Sequence, residues 1–342
     1  MCSLSESMPL VTFAVLTYNQ RNYVLEAIKG ALAQDYDNLE IIVSDDCSTD
    51  GTYELVESFV KSYTGPHRIL VNQTLKNKCI LGHFFDVVDL ANGRLLLLAA
   101  GDDVSYPQRV SETVAAWRNE GAVGLYSNYD LIDHSGAILA RDFSPNPSGP
   151  GVDNIFGKPL HYEIHGASSA YDLEFIRSLS RPAGRFFFED SFMTFMIKLY
   201  DGKISKINKS LVGYRTHAAS LSNSYLFKDT FSDVRNRERR AEVYSANRHD
   251  LLLFLIEYAS SFIDPQSQKK VNIVELNYNL ARLRIKSNWI KSSPNERIKC
   301  LFFHKHNTGF VRWIVPRLFG LKVFCVLRYI SAFCRSKNIV QE

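Results

Sequence analysis

Two kinds of run alternate along the first hundred or so residues of the chain. Residues 10–17 (LVTFAVLT) are continuously apolar and largely β-branched, a polar turn follows from Tyr18 to Asn22, and helical spacing then continues through Leu32. The cycle repeats with LEIIVS at 39–44, a polar turn, a helical stretch from Gly51 to Tyr63, and RILVN at 68–72. RLLLLAA at 94–100 is another such run, and VGLYSNYDLID with AILA over 123–140 predicts a later hairpin. Short buried strands alternating with helices predict an α/β fold, a mostly parallel sheet flanked by helices and joined by right-handed crossovers.

Residues 143–158 (FSPNPSGPGVDNIFGK) are rich in proline and glycine and predict a long loop, either a substrate flap or a plain surface excursion. Beyond residue 223 the strand signals stop, and helical periodicity with Arg and Lys takes over. The pattern therefore divides the chain into a domain over residues 1–222 and a helical region over 223–342.

Composition fits this reading: 342 residues, 46% hydrophobic and 22% charged, exclude a disordered or collagen-like chain. The formal charge of +4 hides a segregation, because residues 1–202 carry 15 basic and 26 acidic side chains whereas 203–342 carry 25 and 10. A basic end on an acidic body points to an anionic partner surface for that end, phospholipid or nucleic acid, or else to a solvated helical region. The acidity of the strand-bearing half disfavours nucleic acid.

Residues 308–335 (TGFVRWIVPRLFGLKVFCVLRYISAFCR) are apolar and aromatic with basic but no acidic residues. At helical spacing Arg317, Arg328 and Arg335 fall close to one stripe, which suits a helix lying among anionic headgroups. The alternative is a helix packed on the first domain or on a second subunit of a homo-oligomer. The six cysteines lack metal-ligand spacing, the N-terminus lacks a secretory signal, and no uncharged apolar stretch reaches a membrane span. The expected location is cytoplasmic, peripheral at the inner face of the plasma membrane.

In open sheets of this kind, ligands bind at the carboxyl ends of the strands. Two loops there are acidic: Asp45-Asp46-Cys47-Ser48-Thr49-Asp50-Gly51 and Gly101-Asp102-Asp103. Adjacent carboxylates raise each other's pKa unless a cation is present, and Mg²⁺ or Mn²⁺ needs only one or two of them when a substrate's phosphates supply the rest. Asp103 serves equally well as a helix cap before Pro107, and Asp50 is expected to cap the helix near Gly51, leaving Asp45 and Asp46 free for a uracil or a ribose. No GxGxxG or GxxxxGK[ST] loop follows a strand, which argues against a dinucleotide fold and a P-loop.

Farther along, Arg185-Phe-Phe-Phe-Glu189-Asp190 opens a helical stretch in which partial desolvation makes a carboxylate a better base, unless Asp190 simply caps the helix. Arg215, His217, Ser220 and Ser222 lie together and suit a diphosphate or a metal shell.

Taken in order, Thr17-Tyr18-Asn19, Ser44 to Thr52, Gly101-Asp102-Asp103, Glu189-Asp190 and Tyr214-Arg215-Thr216-His217 resemble the motifs of the inverting family 2 glycosyltransferases of GT-A fold, especially bacterial enzymes of O-antigen and capsule assembly. The resemblance covers about residues 9–222. It implies that Thr17, Tyr18, Asn19, Asp45 and Asp46 meet the nucleoside of a nucleotide sugar of the UDP-sugar class. It further implies that Gly101, Asp102, Arg215 and His217 meet the diphosphate, that Asp102 binds a divalent metal (Mn²⁺ or Mg²⁺) with Asp103 or His217 completing the shell, and that Asp190 is the general base beside Glu189. The acceptor it implies is a saccharide, polyprenyl-diphosphate-linked if the basic end meets a membrane. One departure is that Ala100-Gly101-Asp102 stands where many relatives carry a DxD motif, so one carboxylate is missing. A non-catalytic nucleotide-sugar-binding or assembly protein of the same fold is the competing reading.

Overall fold

The computed structural model describes residues 8–144, 164–217 and 231–262, together with scattered positions between 280 and 314. Two compact units divide the chain, Met1–Pro147 with Tyr162–Ser220, and Ser148–His161 with Leu221–Glu342. The first unit closes at Ser220, against a boundary expected at 222, and the second also takes Ser148–His161.

In the first unit the expected cycle is present as β1 (Val11–Thr17), α1 (Val24–Leu32), β2 (Leu39–Asp45), α2 (Thr52–Ser62), β3 (Arg68–Gln73), α3 (Cys79–Leu90) and β4 (Leu95–Ala100). There follow β5 (Val104–Ser105), α4 (Arg109–Glu120), the hairpin β6 (Gly124–Ile132) and β7 (Ile138–Phe143), then β8 (Ala170–Asp172), α5 (Leu173–Ser178), α6 (Glu189–Leu199) and β9 (Ile204–Arg215). They build a nine-stranded sheet of order β3-β2-β1-β4-β8-β6-β9-β5, with β7 on β6. β3, β2, β1 and β4 are parallel, and the direction reverses at β8, which runs antiparallel to both β4 and β6.

The apolar runs become central strands because a parallel sheet covered on both faces has no solvated side to offer polar residues. Phe13 of β1 is in register with Ile41 of β2 and Leu97 of β4, and all three are wholly buried. Truncating a side chain such as Phe13 in that row should cost about 3–5 kcal/mol, transfer and cavity together. On α1 the apolar positions Val24, Ala27, Ile28 and Ala31 follow helical spacing and are buried. Gly30, on the same helix, lets the backbone of Ser105 approach, since a Cβ there would lie 2.9 Å from the Ser105 carbonyl oxygen. That contact seats α1 under β5 and the loop that follows β4.

The second unit contains α7 (Phe231–Phe262), the long helix that the basic, strand-free pattern predicts. Among the described residues no helix is long and apolar enough to cross a membrane. The proposed headgroup helix over 308–335, apart from Ile314, and positions 145–158 of the long loop lie outside the described residues, as do Ser220 and Ser222.

Candidate active site

The parallel register brings the first acidic loop to the same edge as the end of β1, with Thr17 opposite Asp45 and Leu16 opposite Ala100. Main-chain bonds continue past the strands, from Asp46 N–H to the Thr17 carbonyl and from Gly101 N–H to the Leu16 carbonyl. The loops after β1 and β2 are stitched together. Asn19, in the left-handed region at φ 53°, accepts from Thr49 N–H at 2.8 Å, and its own N–H donates to Ser48 Oγ at 2.8 Å. Asn tolerates that conformation because its short side chain bonds locally.

Asp50 accepts from Thr52 N–H and from Arg21 N–H, so it ties the first loop to α2. The residue at the cap position itself is Gly51, at φ 82°, one place later than the sequence suggests. Asp45 and Asp46 are both buried. Asp45 accepts from Ser48 N–H, Ser48 Oγ and Gln73 Nε2, while Asp46 Oδ1 accepts from Thr74 Oγ1 and Lys78 N–H. A carboxylate offers about four acceptor positions, so these two carboxylates brace the loops from within and retain limited capacity for a ligand. Tyr18 is half exposed at the rim, and Thr17 is buried with its hydroxyl unpartnered. Gly101 sits against it: a Cβ at 101 would lie 2.9 Å from Thr17 Oγ1 and 2.5 Å from Gln20 Oε1.

The second acidic loop meets the end of β9. Asp102 Oδ2 lies 3.0 Å from His217 Nε2, and both side chains keep some exposure, 16% and 11%. Asp103 turns inward, where Oδ1 accepts from Arg215 N–H at 2.8 Å and Oδ2 is buried without a partner. Burial first, and the Asp102 charge next, push the Asp103 carboxyl well above the usual range. Arg215, expected on a diphosphate, is wholly buried; its guanidinium donates to the main-chain carbonyls of Asp102, Asp133 and His134 and to Glu26 Oε2.

Among the described residues no group of three or more His, Cys, Asp or Glu side chains could hold a metal ion. The pair Asp102 and His217 nevertheless fits a cation that brings its other ligands with a diphosphate and water. The two atoms pair directly at 3.0 Å, a hydrogen-bond distance that is also the spacing of adjacent ligands about 2.1 Å from an octahedral ion, so both can turn to one cation with little movement. Their chemistry, one carboxylate and one imidazole, suits Mn²⁺ and tolerates Mg²⁺.

Glu189 and Asp190 open α6. Glu189 is buried, and a Cβ on Gly166 would stand 2.4 Å from its Oε1. Burial, and then the neighbouring Asp190, push its carboxyl up to about 8. Asp190 Oδ1 accepts from Ser191 N–H and Ser191 Oγ. The turn at Gly166–Ser168 links this carboxyl pair to the sheet: the His165 ring stacks on Tyr129 of β6 at 4.6 Å and meets Tyr214 of β9 at 5.0 Å. Tyr214 directly precedes Arg215, so the two sides of the edge are connected through packed rings.

Residues 12–172 match the family model described as Glycosyl transferase family 2. This segment is similar to the family 2 glycosyltransferases. The glycosyltransferase match takes in Thr17, Asp45, Asp46 and Asp102, and ends before Asp190 and His217. EpsE of Bacillus subtilis (strain 168) is 32% identical over 177 residues, 51% of this chain and 63% of EpsE, so the chain spans just under two thirds of that relative. The UDP-Glc:alpha-D-GlcNAc-diphosphoundecaprenol beta-1,3-glucosyltransferase WfaP of Escherichia coli is 24% identical over 255 residues, covering 74% of this chain and 93% of WfaP. Among solved structures, the mannosyltransferase PcManGT from Pyrobaculum calidifontis in complex with GDP-Man and Mn²⁺ gives a TM-score of 0.51 at 12% identity, over 95% of this chain and 88% of that one. That likeness shows the fold alone, a GT-A fold.

Two residues of the edge carry no signature in the sequence. Tyr23, at the N-cap of α1, and Glu26, in its first turn, stand three apart, and both meet Arg215. Their shared helical face is the only sequence feature that could have drawn attention to them.

Proposed function

We propose that this protein is an inverting glycosyltransferase that moves a sugar from a UDP-sugar to a hydroxyl of a polyprenyl-diphosphate-linked saccharide, in the assembly of a bacterial surface polysaccharide. The observation that carries the reading is the meeting of Asp102 and His217 at 3.0 Å on the sheet edge that Thr17, Asp45 and Gly101 also occupy. The printed name of WfaP, with its UDP-Glc donor and diphosphoundecaprenol acceptor, supports the same donor and acceptor classes.

In this reading the rim formed by Thr17, Tyr18, Asn19, Asp45 and Asp46 receives the nucleoside, and Gly101 lets the donor approach the end of β4. Asp102 and His217 hold a divalent cation, and Asp103 anchors β9. When bound, the cation neutralises charge on the departing diphosphate. Asp190 takes the proton of the acceptor hydroxyl while that oxygen bonds to the anomeric carbon, and the bond from that carbon to the diphosphate oxygen breaks on the opposite face. The nucleoside diphosphate leaves, the configuration inverts in one displacement, and the proton passes from Asp190 to solvent. Glu189, kept protonated by burial at neutral pH, adds no second negative charge beside the base.

The test is UDP release from a panel of UDP-sugars with Mn²⁺ and a lipid-linked acceptor. Turnover is expected with one donor, and Asp190→Ala should lower it by about 10² to 10⁴ while UDP binding survives. Equal turnover in the variant would remove Asp190 from the mechanism. UDP binding without turnover on any donor would favour the non-catalytic reading.

A further inference from the structure

Arg215 is the most heavily bonded side chain at the edge. Its Nη2 donates to Glu26 Oε2 at 2.6 Å, its Nε to the Asp102 carbonyl at 2.7 Å, and its Nη1 to the carbonyls of Asp133 and His134 at 3.2 and 3.1 Å. The guanidinium also lies over the Tyr23 ring, 4.9 Å from its centroid. The same ring packs against His217 at 4.7 Å. Gly136, at φ 88° in the turn between β6 and β7, sits beside the pair in a left-handed conformation that favours glycine; a Cβ there would be in ordinary contact, 3.7 Å from Arg215 Nη1 and 4.0 Å from Glu26 Oε2.

Both residues of the cation pair are thus held from one point. The Asp102 main chain is fixed by Arg215 Nε, and the His217 ring is backed by the tyrosine on which Arg215 also rests. Arg215 is placed in turn by Glu26, whose side chain is half exposed while the arginine has no exposure at all. A buried guanidinium needs a charged partner, and that partner comes from the first turn of α1, 189 positions away in the chain.

We infer that Glu26 is a positioning residue: acting through Arg215 and Tyr23, it sets the Asp102–His217 geometry and therefore the affinity of the site for a divalent cation. This rests on the reading that Asp102 and His217 hold that cation. Partners of metal ligands that orient the ligands commonly control affinity about 10-fold to 100-fold. Glu26 touches neither Asp102 nor His217 in the contacts above, so its route by contact to the cation pair runs through the arginine and the ring.

The experiment uses the full chain with UDP present and follows free Mn²⁺ by electron paramagnetic resonance, with thermal unfolding in the absence of Mn²⁺ as a check of fold. Glu26→Ala is expected to weaken Mn²⁺ binding about 10-fold, and Glu26→Gln, whose amide oxygen still accepts from Arg215, by less. Tyr23→Leu, which removes the ring shared by Arg215 and His217, should also weaken it. UDP affinity measured without Mn²⁺ should stay at the parental value in all three. Asp102→Asn calibrates the assay and should lose Mn²⁺ binding. Parental Mn²⁺ affinity in folded Glu26→Gln and Tyr23→Leu, with loss in Asp102→Asn, overturns the inference and leaves the cation reading standing. Parental affinity in Asp102→Asn overturns the cation reading and the inference with it.

Discussion

Glu189 provides a test in which a single proton reports the environment of the carboxyl pair. Its carboxyl is buried and titrates at about 8, against an ordinary value of 4.5. Between those pH values the folded chain keeps a proton that the unfolded chain has released. The stability associated with this group is therefore fully present below the unfolded value and is lost as pH rises through the folded one. Each pH unit in that window is worth about 1.4 kcal/mol, so the whole interval is worth about 4–5 kcal/mol, an upper bound in order of magnitude. Glu189→Gln imitates the protonated acid and has no proton to lose. Thermal unfolding of parent and variant should give similar stabilities near pH 5 and diverge steadily above it, the variant gaining about 4 kcal/mol over the parent by about pH 8. A gap between the two that stays constant across this range would mean that Glu189 is ionised in the folded protein, and the account of a neutral neighbour beside Asp190 would fail.

Gly101→Ala should destabilise by about 1–3 kcal/mol and weaken UDP binding, because the added methyl meets Thr17 and Gln20 and pushes apart the ends of β1 and β4. Calorimetry of UDP binding beside a thermal melt checks it, and unchanged affinity would place the donor elsewhere. Arg109 is wholly buried, with Nη2 donating to the carbonyls of Leu98 and Ser169 and Nη1 to Ser105 Oγ. Arg109→Leu strands those acceptors and should cost about 2–4 kcal/mol in chemical denaturation; a loss under about 0.5 kcal/mol would show that water or neighbours satisfy them.

The sequence discloses the parallel half of the sheet because that half is written in one code. β1, β2 and β4 are buried on both faces, so their residues form unbroken apolar runs, and the acidic loops after β2 and β4 stand at the strand ends where the register places them. The hairpin of β6 and β7 is legible as two stretches rich in apolar residues separated by the polar turn at Asp133 to Gly136, although neither strand alternates cleanly between buried and exposed positions. β5 and β8 are two and three residues long, too short to carry a period, and they exist because β9 and β4 offer them partners. β9 hides for another reason. Its pairing with β6 shifts register around Asn128, and two adjacent exposed residues, Asn208 and Lys209, interrupt its alternation.

At the edge, the residue types of Asp102 and His217 are visible in the sequence, whereas their opposition at 3.0 Å is a product of the fold. The fate of Arg215 is not legible at all. A solvent-facing arginine and a buried one read alike until the carbonyls of Asp102, Asp133 and His134 and the carboxylate of Glu26 are placed around it.

The antiparallel strand β8 marks a seam in the molecule. Upstream of it, the parallel strands and their loops up to Asp103 complete one share of the edge, and downstream the segment from Glu189 to His217 contributes the other. The family match stops at Asp172, the last residue of β8. Changes on the far side of the seam can therefore reshape what is received beside Asp190 without disturbing the rows of strands that fix Thr17, Asp45 and Asp102. In the reading proposed above, the two shares meet at Asp102 and His217, so the acceptor side can vary only as far as His217 and the arginine beneath it keep their places.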